Sequence, residues 1–419
     1  MSLEISRDDI LTALVTKLGT SNLEILSYDT SYVEEKVGLL GDHGFVRVNV
    51  LNRDSNNEIN VSFFTKLFPK QECLKGFAEG AGSFTREEFV YDLFSDFRND
   101  KIDIITKCTP RCYVYQPNNY LLLDNLLEEG YKMPDKSKCF DFSTVLVVLE
   151  SLAQLHASSL IYEEQKSNRS GEIFRILHGN EERLKDTLYC DSDDFPNKDS
   201  VDATFKCIQS EIRLFQMPET LKNGKNFMKR VEELFPRIYR LVESSKKHRN
   251  VLCHGDLWAS NCMLKENEDG TVVSCKLVDF QSGRYVPPAH DVMSFLYLNT
   301  SRQLRQERMY EAIGIYYNYL EKYLKNAGFA INKIITFDAF LDSCEEQKLF
   351  GVLLAANIIP LILADRDIVE NFLCDNELYN KVFRGDRSIL FYENQKYKWY
   401  VERAKESIED LREQCEQVA

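Results

Sequence analysis

Three oxygen-bearing side chains stand in a fixed order past the middle of the chain: Asp256 and Asn261 in "HGDLWASN", then Asp279 in "KLVDFQ". A carboxylate can take a proton from a hydroxyl, while a carboxamide oxygen and a second carboxylate are hard ligands suited to a divalent cation such as Mg2+. Together they fit phosphoryl transfer, which needs a positioned base and a cation held against nucleotide phosphates. A lone Asp-x-x-x-x-Asn would read as a turn, since both side chains favour turns. The joint pattern is more specific: H-G-D-x-x-x-x-N, a charged turn "KENEDGT", and a strand "VVSCKLVDFQ" returning to Asp-Phe. Asp256 is therefore the candidate base, and Asn261 and Asp279 are the candidate metal ligands.

Other residues would support that centre. Lys66 lies in "SFFTKLFP", an apolar strand where a cation is costly unless it meets an anion. It is placed on nucleotide phosphates, with Glu87 of "FTREEFVY" as its partner ahead of Glu88. The competing reading of Lys66 is a lysine guarding an edge strand. Asp291 in "PPAHDVMSFLY" follows two prolines, so it is placed either as a helix N-cap or as a strut for the Asp256 loop, with His254 as a further support. His156 in "LAQLHA" sits on an apolar helix and reads as a satisfied core histidine. Gly38, Gly41 and Gly44 in "GLLGDHGF" form either a phosphate-cradling turn or an ordinary hairpin turn.

These residues must be held by two kinds of structure. Ile10, Leu11, Leu14, Val15 and Leu18 make a helical stripe ending near Gly19. "FVRVNVLNRD" and "EINVSFFTKLF" alternate around "DSNN" and predict an antiparallel hairpin. A helix over 84–97 and two strands, "CYVYQ" and "YLLLDNL", complete a small β-rich unit. After Leu126 the pattern turns helical, starting with the apolar "FDFSTVLVVLESLAQLHASSLIYEEQ". Residues 166–202 are charged and Ser/Asn-rich, and read as surface helix and loop. Further helices are expected at 226–244, 302–326 and 336–365, with an amphipathic one at 396–417. The outline is a two-lobed α+β protein: lobe 1–123, linker 124–127 and helical lobe 128–419.

Composition bounds the partners. The chain carries a net charge of −14 with mixed signs along its length, which argues against a nucleic-acid binder. Its twelve cysteines contain no C-x-x-C pair and read as free thiols of a reducing, cytoplasmic compartment. Cys108 and Cys112 are four apart, but no second pair completes a zinc site. The longest apolar run, "LFGVLLAANIIPLILAD", is broken by Asn357 and Pro360 and reads as a buried core helix, so no membrane partner is expected.

"LCHGDLWASNCMLK", "KLVDFQSGRYVPPAHDVMSFLY", "LAQLHASS", "FTREEFVY" and "CYVY" followed by "LLLDNL" resemble the ecdysteroid kinase-like family of insects. That family lies within the choline-kinase-like and aminoglycoside-phosphotransferase-like small-molecule kinases. The likeness runs from about Gly38 to about Leu363. It implies a protein-kinase-like fold and ATP- and Mg2+-dependent phosphorylation of a small-molecule hydroxyl, with ecdysteroids or hydroxylated xenobiotics as substrates. It also implies that Asp124, Asn125 and Leu126 face the adenine and that Gly41 belongs to the phosphate loop. The chain departs from the family's E-D-L linker, having Asp124-Asn125-Leu126, and its glycine segment from Gly41 to Arg47 reads as shortened. Two alternatives stand beside this reading: a kinase-fold binder with little or no transfer activity, and a choline- or aminoglycoside-type kinase.

Overall fold

The computed structural model describes residues 3–33, 41–190, 198–373, 375–385 and 387–417. Its N-terminal part is a five-stranded antiparallel sheet in the order β1-β2-β3-β5-β4. The strands are β1 (Leu23–Tyr32), β2 (Asp42–Asn52), β3 (Asn57–Leu67), β4 (Cys112–Gln116) and β5 (Tyr120–Asp124). The Arg7–Leu18 helix is started by the Ser6 side chain, which accepts from Asp8 N–H, and stopped by Gly19 at φ 73°. Its Ile10 and Leu14 pack on Val46, Val48, Val50 and Phe63, the inward residues of the β2–β3 hairpin. The period-2 alternation read in that hairpin thus has its apolar partner in this helix.

Three features of this lobe were not in the sequence reading. β1 pairs with β2 along most of its length, yet Ile25 is its only deeply buried side chain, so it carries no alternation to detect. The Glu72–Ala81 helix precedes the Ser83–Asn99 helix, the two joined through Gly82 at φ 60°. The segment from Asp42 to Arg47, expected as a shortened glycine loop, is strand: Asp42 pairs with Leu67 and Arg47 with Ser62. Residues 34–40, and with them Gly38, lie outside the described residues.

The C-terminal part is built on the Phe142–Ser170 helix, buried almost all round at its centre. This helix is long and apolar enough to cross a membrane, but 83% of that apolar window is enclosed by the protein. The Arg302–Asn326 helix packs along it, and the Ala289–Asn299 helix packs against the Phe337–Ile362 helix. Two small sheets lie between the helices and the first lobe. One pairs β7 (Val251–Cys253) with β10 (Arg284–Val286); the other has the order β6-β8-β9, with β6 at Tyr131–Lys132, β8 at Cys262–Glu266 and β9 at Val272–Leu277. The fold is α+β and kinase-like, a β-rich lobe over a larger helical one.

Candidate active site

The loop from His254 to Asn261 connects β7 to β8, and the β8–β9 hairpin carries the chain back to Asp279. The loop can turn as it does because residue 255 is glycine: φ is +79°, and a Cβ there would stand 2.1 Å from the Ser282 carbonyl oxygen. Asp291 holds the turn from behind. Its Oδ2 accepts from His254 N–H at 2.6 Å and its Oδ1 from Gly255 N–H at 2.9 Å. Asp291 is the third residue of the Ala289–Asn299 helix, whose cap position is Pro288, so it is not the N-cap. His156 lies between Tyr316 and Asp291, with Nδ1 2.6 Å from the Tyr316 hydroxyl and Nε2 3.1 Å from Asp291 Oδ2. Burial works against charge on Asp291, but the hydrogen bond and the neighbouring imidazoles outweigh it and hold this carboxyl well below the usual range.

His254 itself faces the returning strand. Its Nε2–H donates to the Val278 carbonyl at 2.9 Å, and its Nδ1 accepts from Asp256 N–H at 3.3 Å. That pair of contacts fits a neutral imidazole, and burial pushes its pKa down against the pull of Asp291. Asn261 Nδ2 donates to the Asp256 carbonyl at 2.7 Å and to Asp256 Oδ2 at 3.3 Å. The amide nitrogen is thus used within the loop, and Oδ1 is the Asn261 atom suited to a hard cation.

Asp256 has its pKa raised to about 7, first by burial and then by the nearby Asp279 carboxylate. Two carboxylates and a carboxamide oxygen converging at one mouth form a donor set of the chemistry that magnesium takes. A cation there would relieve the repulsion that raises Asp256. Asp279 reaches this position through a left-handed backbone, φ 68°, unusual for a residue other than glycine.

Lys66 and Glu87 close the site from the first lobe. Lys66 Nζ lies 2.6 Å from Glu87 Oε2 and 2.6 Å from Asp279 Oδ1. Glu87 Oε1 also accepts from Phe280 N–H at 3.3 Å. β3 pairs with β2 on one side and β5 on the other, so Lys66 is on an interior strand and the edge-strand reading fails. Burial alone would lower the Lys66 pKa; the two carboxylates outweigh it and raise it. Glu88 points elsewhere, toward Tyr115.

The linker residues divide their tasks. The Asp124 side chain turns away from the cleft mouth, accepting from Lys17 Nζ, the Tyr113 hydroxyl and Arg111 N–H. Its main-chain N–H is taken as well, donating to the Arg111 carbonyl at 3.0 Å. Asn125 Nδ2 donates to Ser62 Oγ at 2.6 Å, which pins the linker to β3. Leu126 joins Tyr131, Met263 and Val278 in a small apolar cluster separate from both main cores. Met263 and Val278 flank the Asn261–Asp279 hairpin, so this cluster is an apolar floor beside the candidate metal ligands. Gly41, at φ +85°, stands against the Leu67 carbonyl just ahead of β2.

One cavity opens from Asp256, Asn261 and Asp279 into the helical lobe, with about 1180 Å³ of empty space, part of it open solvent. Its apolar wall includes Phe350, Leu354, Ile358 and Leu361 from the Phe337–Ile362 helix, with Phe77 of the first lobe opposite. The sequence reading assigned no side chain to such a pocket. It also read 166–202 as surface, whereas Thr187, Leu188 and Tyr189 line the cavity. Two arginines draw that segment inward. Arg284 Nε donates to Asp186 Oδ2 at 2.5 Å and its NH1 to the Gly255 carbonyl at 2.7 Å. Arg86 binds the Lys185 carbonyl and, at 3.0 Å, the Gly283 carbonyl.

A β-rich lobe bearing a buried Lys–Glu pair, set over a helical lobe whose hairpin brings Asp, Asn and Asp to one mouth, is the build of a small-molecule kinase. The model of the ecdysteroid kinase-like family matches residues 45–329, more than half of the chain. The chain belongs to the ecdysteroid kinase-like family and is a small-molecule phosphotransferase. No curated protein matches it. Similar solved structures include a GDP complex of an aminoglycoside 2'-phosphotransferase-IIIa mutant, at 11% identity, 97% of each chain covered and TM-score 0.35. A choline/ethanolamine kinase family protein from Mesorhizobium loti has 11% identity, 95% of this chain and 98% of that one covered, and TM-score 0.33. A microcompartment-associated aminopropanol kinase has 11% identity, 87% and 94% covered, and TM-score 0.30.

Proposed function

We propose that the protein transfers the γ-phosphoryl group of ATP to a hydroxyl of a largely apolar small molecule, with an ecdysteroid or a hydroxylated xenobiotic as the acceptor. The observation that carries this reading is the cavity itself: one continuous space with Asp256, Asn261 and Asp279 at its mouth and an aliphatic and aromatic wall behind them. Apolar pockets with a few placed polar groups are the usual way to hold such a ligand. The two charged side chains that border the wall beyond the mouth are Arg284 and Arg387, whose positive charge disfavours a cationic acceptor such as choline or an aminoglycoside.

In this reading Asp256 orients the acceptor hydroxyl and takes its proton. Asn261 Oδ1 and Asp279 would hold magnesium, which would neutralise charge on the nucleotide phosphates. Lys66 directs its ammonium at the phosphates while Glu87 fixes its position. Leu126, Met263 and Val278 offer the adenine an apolar surface, and the linker main chain offers it hydrogen bonds. Gly41, at φ +85°, is the described residue of the glycine segment that would approach the phosphates. The cytoplasm is the proposed compartment, supported by ten described cysteines that are all free.

The test is transfer: protein, MgATP and a panel of ecdysteroids, plant alcohols, choline and aminoglycosides, scored by mass for a phosphate adduct. Adducts on the apolar alcohols support the reading. Phosphorylation of choline or an aminoglycoside alone overturns the acceptor class and leaves the kinase assignment.

A further inference from the structure

The cavity has a wall that neither the Asp256 loop nor the helical lobe supplies. Leu74, Phe77 and Ala81 of the Glu72–Ala81 helix line it from the first lobe. Their spacing puts them on one face of that helix, where Leu74 and Ala81 are buried, as is Ala78 beside them. The helix packs across the lobes against the Asn376–Phe383 helix, whose Tyr379 and Phe383 line the same space. Gly82, at φ 60°, joins it to the helix that carries Glu87.

Phe77 differs from its neighbours on this face. Leu74 belongs to the larger apolar core. Phe77 is half-buried, yet among the described residues it joins none of the three apolar clusters, and no ring packs on it. A core aromatic finds its partners in other side chains. The Phe77 ring lines a cavity instead, together with Leu354 and Ile358 of the Phe337–Ile362 helix. Covering that ring with an apolar ligand removes its area from water, which favours binding.

Building on the reading of this cavity as the acceptor site, we propose that Phe77 is a specificity-determining residue, whose ring packs on the apolar body of the acceptor from the first lobe and so selects acceptors by bulk. The acceptor is held between the lobes, with Phe77 on one and the Phe337–Ile362 helix on the other. The substrate class narrows to rigid, ring-built alcohols broad enough to touch both walls while one hydroxyl sits at Asp256. A thin linear alcohol reaches one wall at a time and gains little from Phe77.

The experiment compares a rigid polycyclic alcohol with a linear alkanol, each with MgATP and the full chain, in the natural protein and in Phe77→Ala, Phe77→Leu and Ile358→Ala. In Phe77→Ala, kcat/KM for the polycyclic alcohol should fall about 10- to 100-fold, mainly through KM for that alcohol, the range that covering one aromatic ring commands. The linear alkanol should lose far less. Phe77→Leu keeps an apolar side chain and should show a milder loss of the same kind, about 3-fold. Melting temperature checks that each variant is folded, and Phe77→Leu decides the matter where Phe77→Ala does not fold. An unchanged KM for the polycyclic alcohol, or equal losses for the two alcohols, overturns the role of Phe77. A raised acceptor KM in Ile358→Ala then leaves the acceptor site standing. Absence of transfer to any apolar alcohol by the natural protein overturns both.

Discussion

The ammonium of Lys66 and the carboxylate of Asp279 meet at 2.6 Å although 213 residues separate them in the chain. The contact joins the β-rich lobe to the hairpin that carries the candidate metal ligands. Lys66→Met should therefore do two things. It removes the cation proposed to grip phosphates, so KM for ATP should rise and kcat fall, by a combined factor of about 100 or more. It also leaves Glu87 and Asp279 without their shared partner, which should cost about 3–5 kcal/mol of stability. Steady-state kinetics and urea unfolding read the two effects separately. Unchanged ATP kinetics would rule out phosphate contact. Glu87→Gln should follow the same course more mildly, because the amide can still accept from Lys66.

Asp256→Asn should lower kcat by about 10²–10⁴-fold, the usual cost of losing a general base, while nucleotide binding by calorimetry stays largely intact. The natural protein should also show an acid limb in kcat/KM. Asp256 has its pKa raised to about 7, and only its ionised form can accept the proton, so the rate should fall as pH drops below that value. A flat profile between pH 5 and 8 would contradict the assignment.

Asp291→Ala removes a carboxylate that accepts from His254 N–H, Gly255 N–H and the His156 side chain. Each charge-assisted hydrogen bond is worth about 1.5–3 kcal/mol. Thermal melting should drop strongly, and at temperatures where the variant is folded kcat should fall more than KM for ATP, because the loop moves while Lys66 does not. A loss of stability with full kcat would make Asp291 a packing residue only.

Stability should depend on pH through His290. It is buried on the Ala289–Asn299 helix with Nδ1–H donating to Gln347 Oε1, and burial first, then Arg284, lower its pKa to about 4. The unfolded chain titrates near 6.5 and so binds more protons between those two values. The contribution is complete above about pH 6.5, falls as pH drops toward 4, and levels off below it, on the order of 3 kcal/mol in all. Urea midpoints at pH 7.5, 5.5 and 4.5 measure the slope. His290→Gln should flatten it, and an equal slope in that variant would assign the effect to other groups.

Gly255→Ala should be far more harmful than an ordinary loop substitution. The new methyl would collide with the Ser282 carbonyl, and the backbone would be left at a φ of +79°. Loss of activity with an altered melting curve is expected. Full activity would mean that the loop can re-form without this turn.

The site was legible in sequence wherever its logic is local. Asp256, Asn261 and Asp279 lie on one loop and one hairpin, and β8 pairs with β9 across the charged turn as a hairpin. Strand alternation near Lys66 was visible because one face of β2 and β3 packs on a helix. β1 was not visible, because most of its side chains stay outside the core. Asp124 was placed by its position on the linker, but its side chain answers to Lys17 on the first helix and Tyr113 on β4.

The sequence by itself determined the order of the candidate reacting groups, because loop, strand and turn chemistry act between residues a few positions apart. Tertiary structure alone decided what those groups face. It seated a charged segment, Asp186 to Tyr189, beside Asp256 through the Arg284 ion pair 98 residues away. It turned Arg387 onto Asn357, 30 residues back along the chain. It also aimed one stripe of an apolar helix at a cavity while the rest of that helix went to core. An apolar side chain reads the same in sequence whether it meets another side chain or a ligand, since burial depends on what packs across from it.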